Sequence, residues 1–381
     1  MFLPDYNGSS IVNLMSSIRA IYDSDYLYPL LDGFDINPFR EKDIVFIVID
    51  GLGYDYLTAC DDNIFLKKNT IQKMTSVFPA TTASAFVSLS TGVAPQQHGL
   101  TGWYMFLKET GILTTILPFV TKAGGIPLRN LSFTDICDQS SIFQGLNADS
   151  CYIINKGYVN SQCSQALGRG AKRKPYSDIK EFIGRIENAL AFNDNRKFIF
   201  AYWDLFDTLC HEKGINSPEA FDHLAILDQE ISALASLLKN KNTSLFITAD
   251  HGIIDTTEDN TIYLSDHPDL RETLALPVSG DSRVAYCYIR DGMALKFEKY
   301  YNDNLSKYCS LYRSSDLVNQ GYFGMFEPNT RLKQRIGDYT LIMKDDFAMR
   351  DHVLGEKIHG VLKGVHGSLT SEEIFVPLIV I

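Results

Sequence analysis

Three stretches of this chain share one ending, and they restrict its fold more than anything else in it. DIVFIVID (43–50), KFIFAYWDLFD (197–207) and SLFITAD (244–250) are apolar, β-rich runs that each stop at an aspartate. An apolar run of strand length without polar alternation reads as a strand covered on both faces, which is how parallel strands are buried. The acid that ends each run then falls at the C-terminal edge of the sheet, so Asp50, Asp207 and Asp250 are expected together at one edge. Between the runs, residues 177–191 and 218–238 carry apolar residues at helical spacing. This alternation predicts an α/β fold: a mainly parallel central sheet flanked by helices, with ligands bound beyond the C-terminal ends of the strands.

From about residue 263 to 346 the pattern changes to short β-prone pieces such as 283–289 and 339–343. They predict a smaller inserted cap within a single domain spanning 1–381, and the terminal IFVPLIVI returns to the sheet as a last buried strand. Hydrophobic residues at 45% against 21% charged suffice for a large core. A net charge of −11 opposes binding of long nucleic acid or anionic lipid by charge alone. Seven scattered cysteines without a Cys-x-x-Cys pair suggest neither a disulfide framework nor a cysteine zinc site. Neither a leader peptide nor a membrane-spanning run is recognisable, so the default expectation is a cytoplasmic protein without membrane insertion, leaderless export aside. The oligomeric state is not legible.

The strand-end acids are followed by imidazoles. Asp207-x-x-x-His211 puts two side chains on one side of a turn or helix start, and Asp250-His251-Gly252 offers adjacent ligands at a tight turn. Either pair alone is also what chance or a helix cap supplies. Three acids at three strand ends, two with a nearby histidine, form the oxygen and nitrogen set that a two-metal phosphoryl hydrolase needs. The stretch SVFPATTASAFVSLSTGVAPQQHGL (76–100) adds a hydroxyl. After Phe78-Pro79, the small residues from Thr81 to Ala85 can begin a helix whose N-terminal end favours anions. Thr81 and Thr82 are then either caps or, beside metal ions, nucleophiles.

Taken in order, IVIDG, FPATTASAFVSLSTGVAPQQHG, DTLCHEKG, TADHG and GVHGSLTSEEIFVPL span nearly the whole chain. They resemble the alkaline phosphatase superfamily in its nucleotide pyrophosphatase/phosphodiesterase branch. The most distinctive element is Thr91-Gly92-x-x-Pro95-x-x-His98-Gly99. The resemblance implies two divalent ions, expected to be zinc, which three histidines and three aspartates suit. It implies Asp207, His211 and His366 as ligands of the first ion, and Asp50, Asp250, His251 and Thr82 as ligands of the second. Thr82 is also implied as the nucleophile, nine residues before Thr91, with Thr81 as its competitor and His359 as the rival of His366. The implied reaction is hydrolysis of a small phosphodiester or nucleotide pyrophosphate through a phosphothreonine.

The chain also departs from that family. An asparagine that contacts a phosphoryl oxygen in the nucleotide-cleaving members is replaced by Trp103 in HGLTGWYMF. Trp103, Tyr104 and Phe106 are expected either as an aromatic wall for substrate or as core, and Phe206 likewise. His98 is expected to hold a turn, His223, His267 and His352 to be surface or packing residues, and Cys210 to be a bystander. The competing functions are a phosphomonoesterase, a phosphonate hydrolase or sulfatase of the same superfamily, and a silent nucleotide-binding relative. A sulfatase would need a cysteine or serine where Thr82 stands.

Overall fold

The computed structural model describes residues 1–356, 360 and 362–381. A seven-stranded sheet forms its centre, in the order Thr70–Thr75, Phe375–Val380, Thr243–Thr248, Asp43–Ile49, Lys197–Trp203, Asp149–Asn155, Lys172–Tyr176. Asp43–Ile49 pairs in parallel with both neighbours, and the register aligns Val48 with Tyr202 on one side and with Thr248 on the other. The continuous apolar runs therefore lie side by side, and their C-terminal ends meet at one edge. Phe375–Val380 is the expected buried strand, but it runs antiparallel to both of its neighbours.

Two of the three aspartates leave the sheet where the sequence predicts. Asp50 follows its strand directly, its N–H donating to the Trp203 carbonyl at 2.9 Å, and Asp250 lies two residues beyond Thr248. The third does not. The strand Lys197–Trp203 ends early, Asp204 becomes the N-cap of the helix Leu205–Lys213, and Asp207 sits in that helix's first turn. The i, i+4 spacing then brings His211 to the same face as Asp207.

The flanking helices follow their sequence signals. Pro218–Leu238 begins with proline at its first position, and the Ser217 hydroxyl caps it by accepting the Ala220 N–H at 3.2 Å. Ile179–Leu190 begins at Asp178, whose carboxylate accepts the Glu181 N–H at 2.9 Å. The helix Thr82–Thr91 is buried almost throughout; its small residues let it pack against the helix Ile11–Ile21. Gly92, at φ 75°, ends it by returning its N–H to the Ser88 carbonyl, a left-handed turn that glycine makes without a Cβ clash.

A second seven-stranded sheet, antiparallel throughout, covers the site. Its order is Cys309–Arg313, Tyr339–Met343, Val284–Cys287, Ser279–Asp281, Tyr104–Leu107, Ile112–Thr115, Val120–Thr121. The cap expected at 263–346 contains only four of these strands. The other three come from 104–121, directly after the Thr91–Gly99 element. They join across one pairing, Gly280 with Tyr104. Here a Cβ on Gly102 would stand 2.8 Å from the Gly280 Cα, so the two backbones meet at a distance that only glycine allows.

A buried ion pair ties this sheet to the C-terminal loop. Arg283 and Glu373 are fully buried and doubly bonded, Nη2 to Oε2 at 2.8 Å and Nε to Oε1 at 3.1 Å. Glu373 also accepts the Ser368 N–H at 2.8 Å and the Thr370 hydroxyl at 2.8 Å. The Ser-Leu-Thr-x-Glu-Glu context of His366 thus has a structural cause, because it fixes the loop that carries the histidine.

Candidate active site

The fold brings together residues from five separate stretches. Asp50 and Asp250 come from adjacent strands, Asp207 and His211 from one helix turn, His251 from the turn after Asp250, and His366 from the C-terminal loop. Thr82 opens the buried helix. Ligand atoms of Asp50, Asp250 and His251 lie within 4.8 Å of one another, and so do those of Asp207, His251 and His366. The two groups share His251, whose Nε2 is 3.3 Å from Asp50 Oδ1 and 3.6 Å from Asp250 Oδ2. His211 Nε2 lies 3.1 Å from Asp207 Oδ2, and His366 Nε2 lies 3.8 Å from Asp207 Oδ1. The His251 and His366 rings stack with centroids 3.8 Å apart.

Thr82 Oγ1 is 3.0 Å from His251 Nε2 and faces the cavity. Thr81 is the helix N-cap, fully buried and outside the cavity wall. The geometry therefore favours Thr82 of the two. The rival histidine, His359, lies outside the described residues.

The electrostatics suit bound cations. Burial, reinforced by Asp250 and Asp207, pushes the Asp50 carboxyl well above the usual carboxylate range. Burial would also raise Asp207, but His211, with help from His366 and His251, holds it well below that range. Burial lowers His211, but Asp207, the Gly364 carbonyl and Asp281 together raise it by more, and the net result is about 9. Burial and the His251 charge drive His366 well below its ordinary value. Asp50 Oδ1, Asp207 Oδ1 and His366 Nδ1 are buried without hydrogen-bond partners. Orphaned ligand atoms of this kind, in residues of the two clusters, fit a pair of divalent ions.

Other contacts hold the candidate ligands in place. The Tyr202 hydroxyl lies 2.7 Å from Asp50 Oδ2 and 3.0 Å from Asp250 Oδ2. Asp250 Oδ1 accepts the N–H groups of Gly51 and His251, and His211 Nδ1 faces the Gly364 carbonyl at 2.7 Å. A hydroxyl in a strand that is otherwise apolar and fully buried must find a partner, so Tyr202 was detectable in principle.

A cavity of about 420 Å3 opens in front of Thr82. Trp103 and Tyr104 line it, while Phe106 packs on Tyr288 outside it. Phe206 is corrected: it is fully buried, packs beside Tyr56 and His223, and contributes nothing to the cavity wall. His352, expected on the surface or in packing, instead lines the cavity. Lys122, Tyr158, Asp281 and Arg350 also line it, and no motif announces them. Lys122 is nearly buried, donating to the Asp351 carbonyl at 2.7 Å with its ammonium 4.5 Å from the Tyr104 ring centroid. Asp281 Oδ2 accepts the Trp103 N–H at 2.9 Å. Burial raises its carboxyl to about 6, against the lowering by the Trp103 N–H, the Thr81 hydroxyl, His251 and His211.

His98 is fully buried, as its structural role requires. Its Nδ1 accepts the Leu100 N–H at 3.0 Å, which leaves the proton on Nε2 to be donated to Ser88 Oγ, also at 3.0 Å. His223 accepts the Trp203 indole N–H at 3.0 Å, and Cys210 is buried without a place in either cluster.

Fold and site together define an α/β protein of the alkaline phosphatase superfamily, with two carboxylate–imidazole groups at the C-terminal edge of its sheet. Residues 44–368 match the family model for type I phosphodiesterase / nucleotide pyrophosphatase, and the chain belongs to that family. It is 22% identical to human ectonucleotide pyrophosphatase/phosphodiesterase family member 5 over 360 residues, which cover 88% of this chain and 67% of that protein. The fold resembles the mouse protein of the same name, solved as an inactive variant in complex with AMP. The TM-score is 0.68 at 18% identity, covering 89% of this chain and 87% of that one. It also resembles phosphonoacetate hydrolase from Sinorhizobium meliloti 1021 in complex with phosphonoformate. There the TM-score is 0.65 at 17% identity, with 89% of each chain covered. No helix among the described residues is long and apolar enough to cross a membrane.

Proposed function

We propose that this protein hydrolyses phosphodiester or nucleotide pyrophosphate bonds, with Thr82 as the nucleophile at a site for two divalent ions, which we take to be zinc. The observation that carries this reading is the position of Thr82 Oγ1: in the wall of the cavity, 3.0 Å from the imidazole shared by both groups of candidate ligands. Asp207, His211 and His366 would hold one ion, and Asp50, Asp250, His251 and Thr82 the other. Bound there, the ions would ease ionisation of the hydroxyl and neutralise charge on the phosphoryl oxygens.

Thr82 forms a bond to phosphorus as the ester oxygen leaves, and water then cleaves the phosphothreonine. The helix Thr82–Thr91 starts at the attacking atom, so its unpaired N-terminal amides favour the developing negative charge. Family membership and the AMP complex of the mouse relative support a nucleotide-containing substrate.

The test compares specificity constants for a nitrophenyl phosphodiester and the matching monoester on zinc-loaded protein, with Thr82→Ala alongside. The reading requires a diester-to-monoester ratio well above one, and loss of turnover in the variant with two zinc ions retained. A ratio below one would make the protein a monoesterase. Turnover of neither ester would shift attention to phosphonates or to nucleotide binding without catalysis, and equal activity in Thr82→Ala would remove the threonine from the reaction.

A further inference from the structure

We propose that Asp281 sets the charge preference of the cavity, disfavouring doubly charged phosphate monoesters relative to singly charged diesters. This rests on the two-ion reading above and adds the residue that would decide between the two substrate classes.

The strand Ser279–Asp281 passes over the loop before Trp103 at backbone contact, through Gly102 and Gly280, and this close approach brings Asp281 to the cavity wall. Its Cβ is 3.4 Å from where a Cβ on Gly367 would stand, beside His366. One carboxylate oxygen is fixed by the Trp103 N–H at 2.9 Å. The carboxylate lines the same cavity as Asp50, Thr82, Asp207, His211 and His366, so its charge faces the space in front of the candidate ligands.

Neither of the two neighbouring cations is free to pair with it. Arg283, two positions on, is committed to Glu373, and Lys122 to the Asp351 carbonyl and Glu356. Among the described residues Asp281 has no ion-pair partner.

The balance of charge gives this acid its effect. Two divalent ions exceed the three aspartates of the ligand groups by one positive charge, and an ionised Thr82 cancels it. Asp281 then adds a negative charge to the wall of the space where the phosphoryl group must sit. A monoester dianion meets that wall with one charge more than a diester, in a partly buried site where screening is weak.

The experiment uses zinc-loaded wild type, Asp281→Asn and Asp281→Glu at about pH 8. Inorganic phosphate binding is measured by calorimetry, zinc content by metal analysis, and the diester-to-monoester ratio with nitrophenyl esters. Asparagine keeps an acceptor for the Trp103 N–H and removes only the charge. Asp281→Asn is expected to bind phosphate on the order of tenfold tighter, with a matching fall in the ratio, two zinc ions retained and Asp281→Glu close to wild type. Unchanged phosphate affinity and ratio in an Asp281→Asn protein carrying two zinc ions would overturn the role of Asp281 alone. Loss of one zinc ion in that variant would also overturn it, by making Asp281 a ligand. Failure of the wild type itself to hold zinc would instead overturn the two-ion reading beneath it.

Discussion

The Tyr202 hydroxyl sits 2.7 Å from Asp50 Oδ2 and 3.0 Å from Asp250 Oδ2, fully buried between two carboxylates that come from different strands. A phenol has one proton and can satisfy only one of these acceptors at a time. One of these two oxygens is therefore short of a donor at any moment, and a cation beside both acids would relieve it. Tyr202→Phe is expected to weaken binding of one of two zinc ions by about 10–100-fold, the usual cost of losing an outer-shell partner. Competition with a chromophoric chelator would resolve the two affinities; equal loss at both ions, or at neither, would argue against this placement.

Removing metal should loosen the whole molecule. Asp50, Asp207 and Asp250 lie buried at one sheet edge, and in the ion-free protein their mutual repulsion is part of the folded state. Exhaustive chelation is expected to lower the melting temperature, with recovery on adding back two equivalents of zinc and a dependence on free zinc concentration. A melting temperature indifferent to chelation would count against ions at this site.

The acid limb of stability should contain a signature of His98. Burial, with Arg335 nearby, lowers its pKa to about 3 in the fold, against an ordinary value of 6.5. The folded value is the lower one, so the unfolded chain takes up the proton first. The contribution is complete above pH 6.5 and is lost progressively as pH falls toward 3, at ~1.4 kcal/mol per unit of displacement. His98→Gln, which can still accept from Leu100 and donate to Ser88, is expected to show a shallower loss of urea midpoint between pH 6.5 and 4. Parallel slopes for the two proteins would refute the assignment.

Cutting the link between the second sheet and the C-terminal loop should affect both stability and the site. Arg283→Met leaves Glu373 buried without its partner, a change that costs about 3–5 kcal/mol. Glu373 also anchors the Ser368 N–H, two residues beyond His366. Urea unfolding would report the first effect. Zinc affinity measured well below the melting range would report the second, and a variant that unfolds early yet binds zinc normally would separate the two roles.

The sheet and the candidate ligands were legible in the sequence because the physics that builds them is local. A strand buried on both faces must be apolar along its length, so the runs ending at Asp50 and Asp250 stand out. Asp207 reads both as the end of a strand and as part of a helix start with His211, and the second holds, since the strand ends at Trp203 and the helix begins at Leu205. The strands Tyr104–Leu107, Ile112–Thr115 and Val120–Thr121 escaped notice because they are short and only partly buried, with too few residues to establish a period. Asp281, Lys122, Tyr158 and His352 gave no signal at all. They reach the cavity through pairings between distant segments, which spacing along the chain does not encode. Phe206 shows the converse error, an aromatic beside a candidate ligand whose side chain turns into the core.

The sheet that covers the site is assembled from two stretches of chain, 104–121 and 279–343, joined at Gly280 and Tyr104. It follows that substrate preference in such a protein is not a portable cassette. A graft of the later stretch alone would set an unfamiliar edge against Tyr104–Leu107 and break the glycine-to-glycine approach that brings Asp281 in. Recombination between relatives has to carry both pieces together, or else leave the backbone untouched and exchange only the side chains that line the wall.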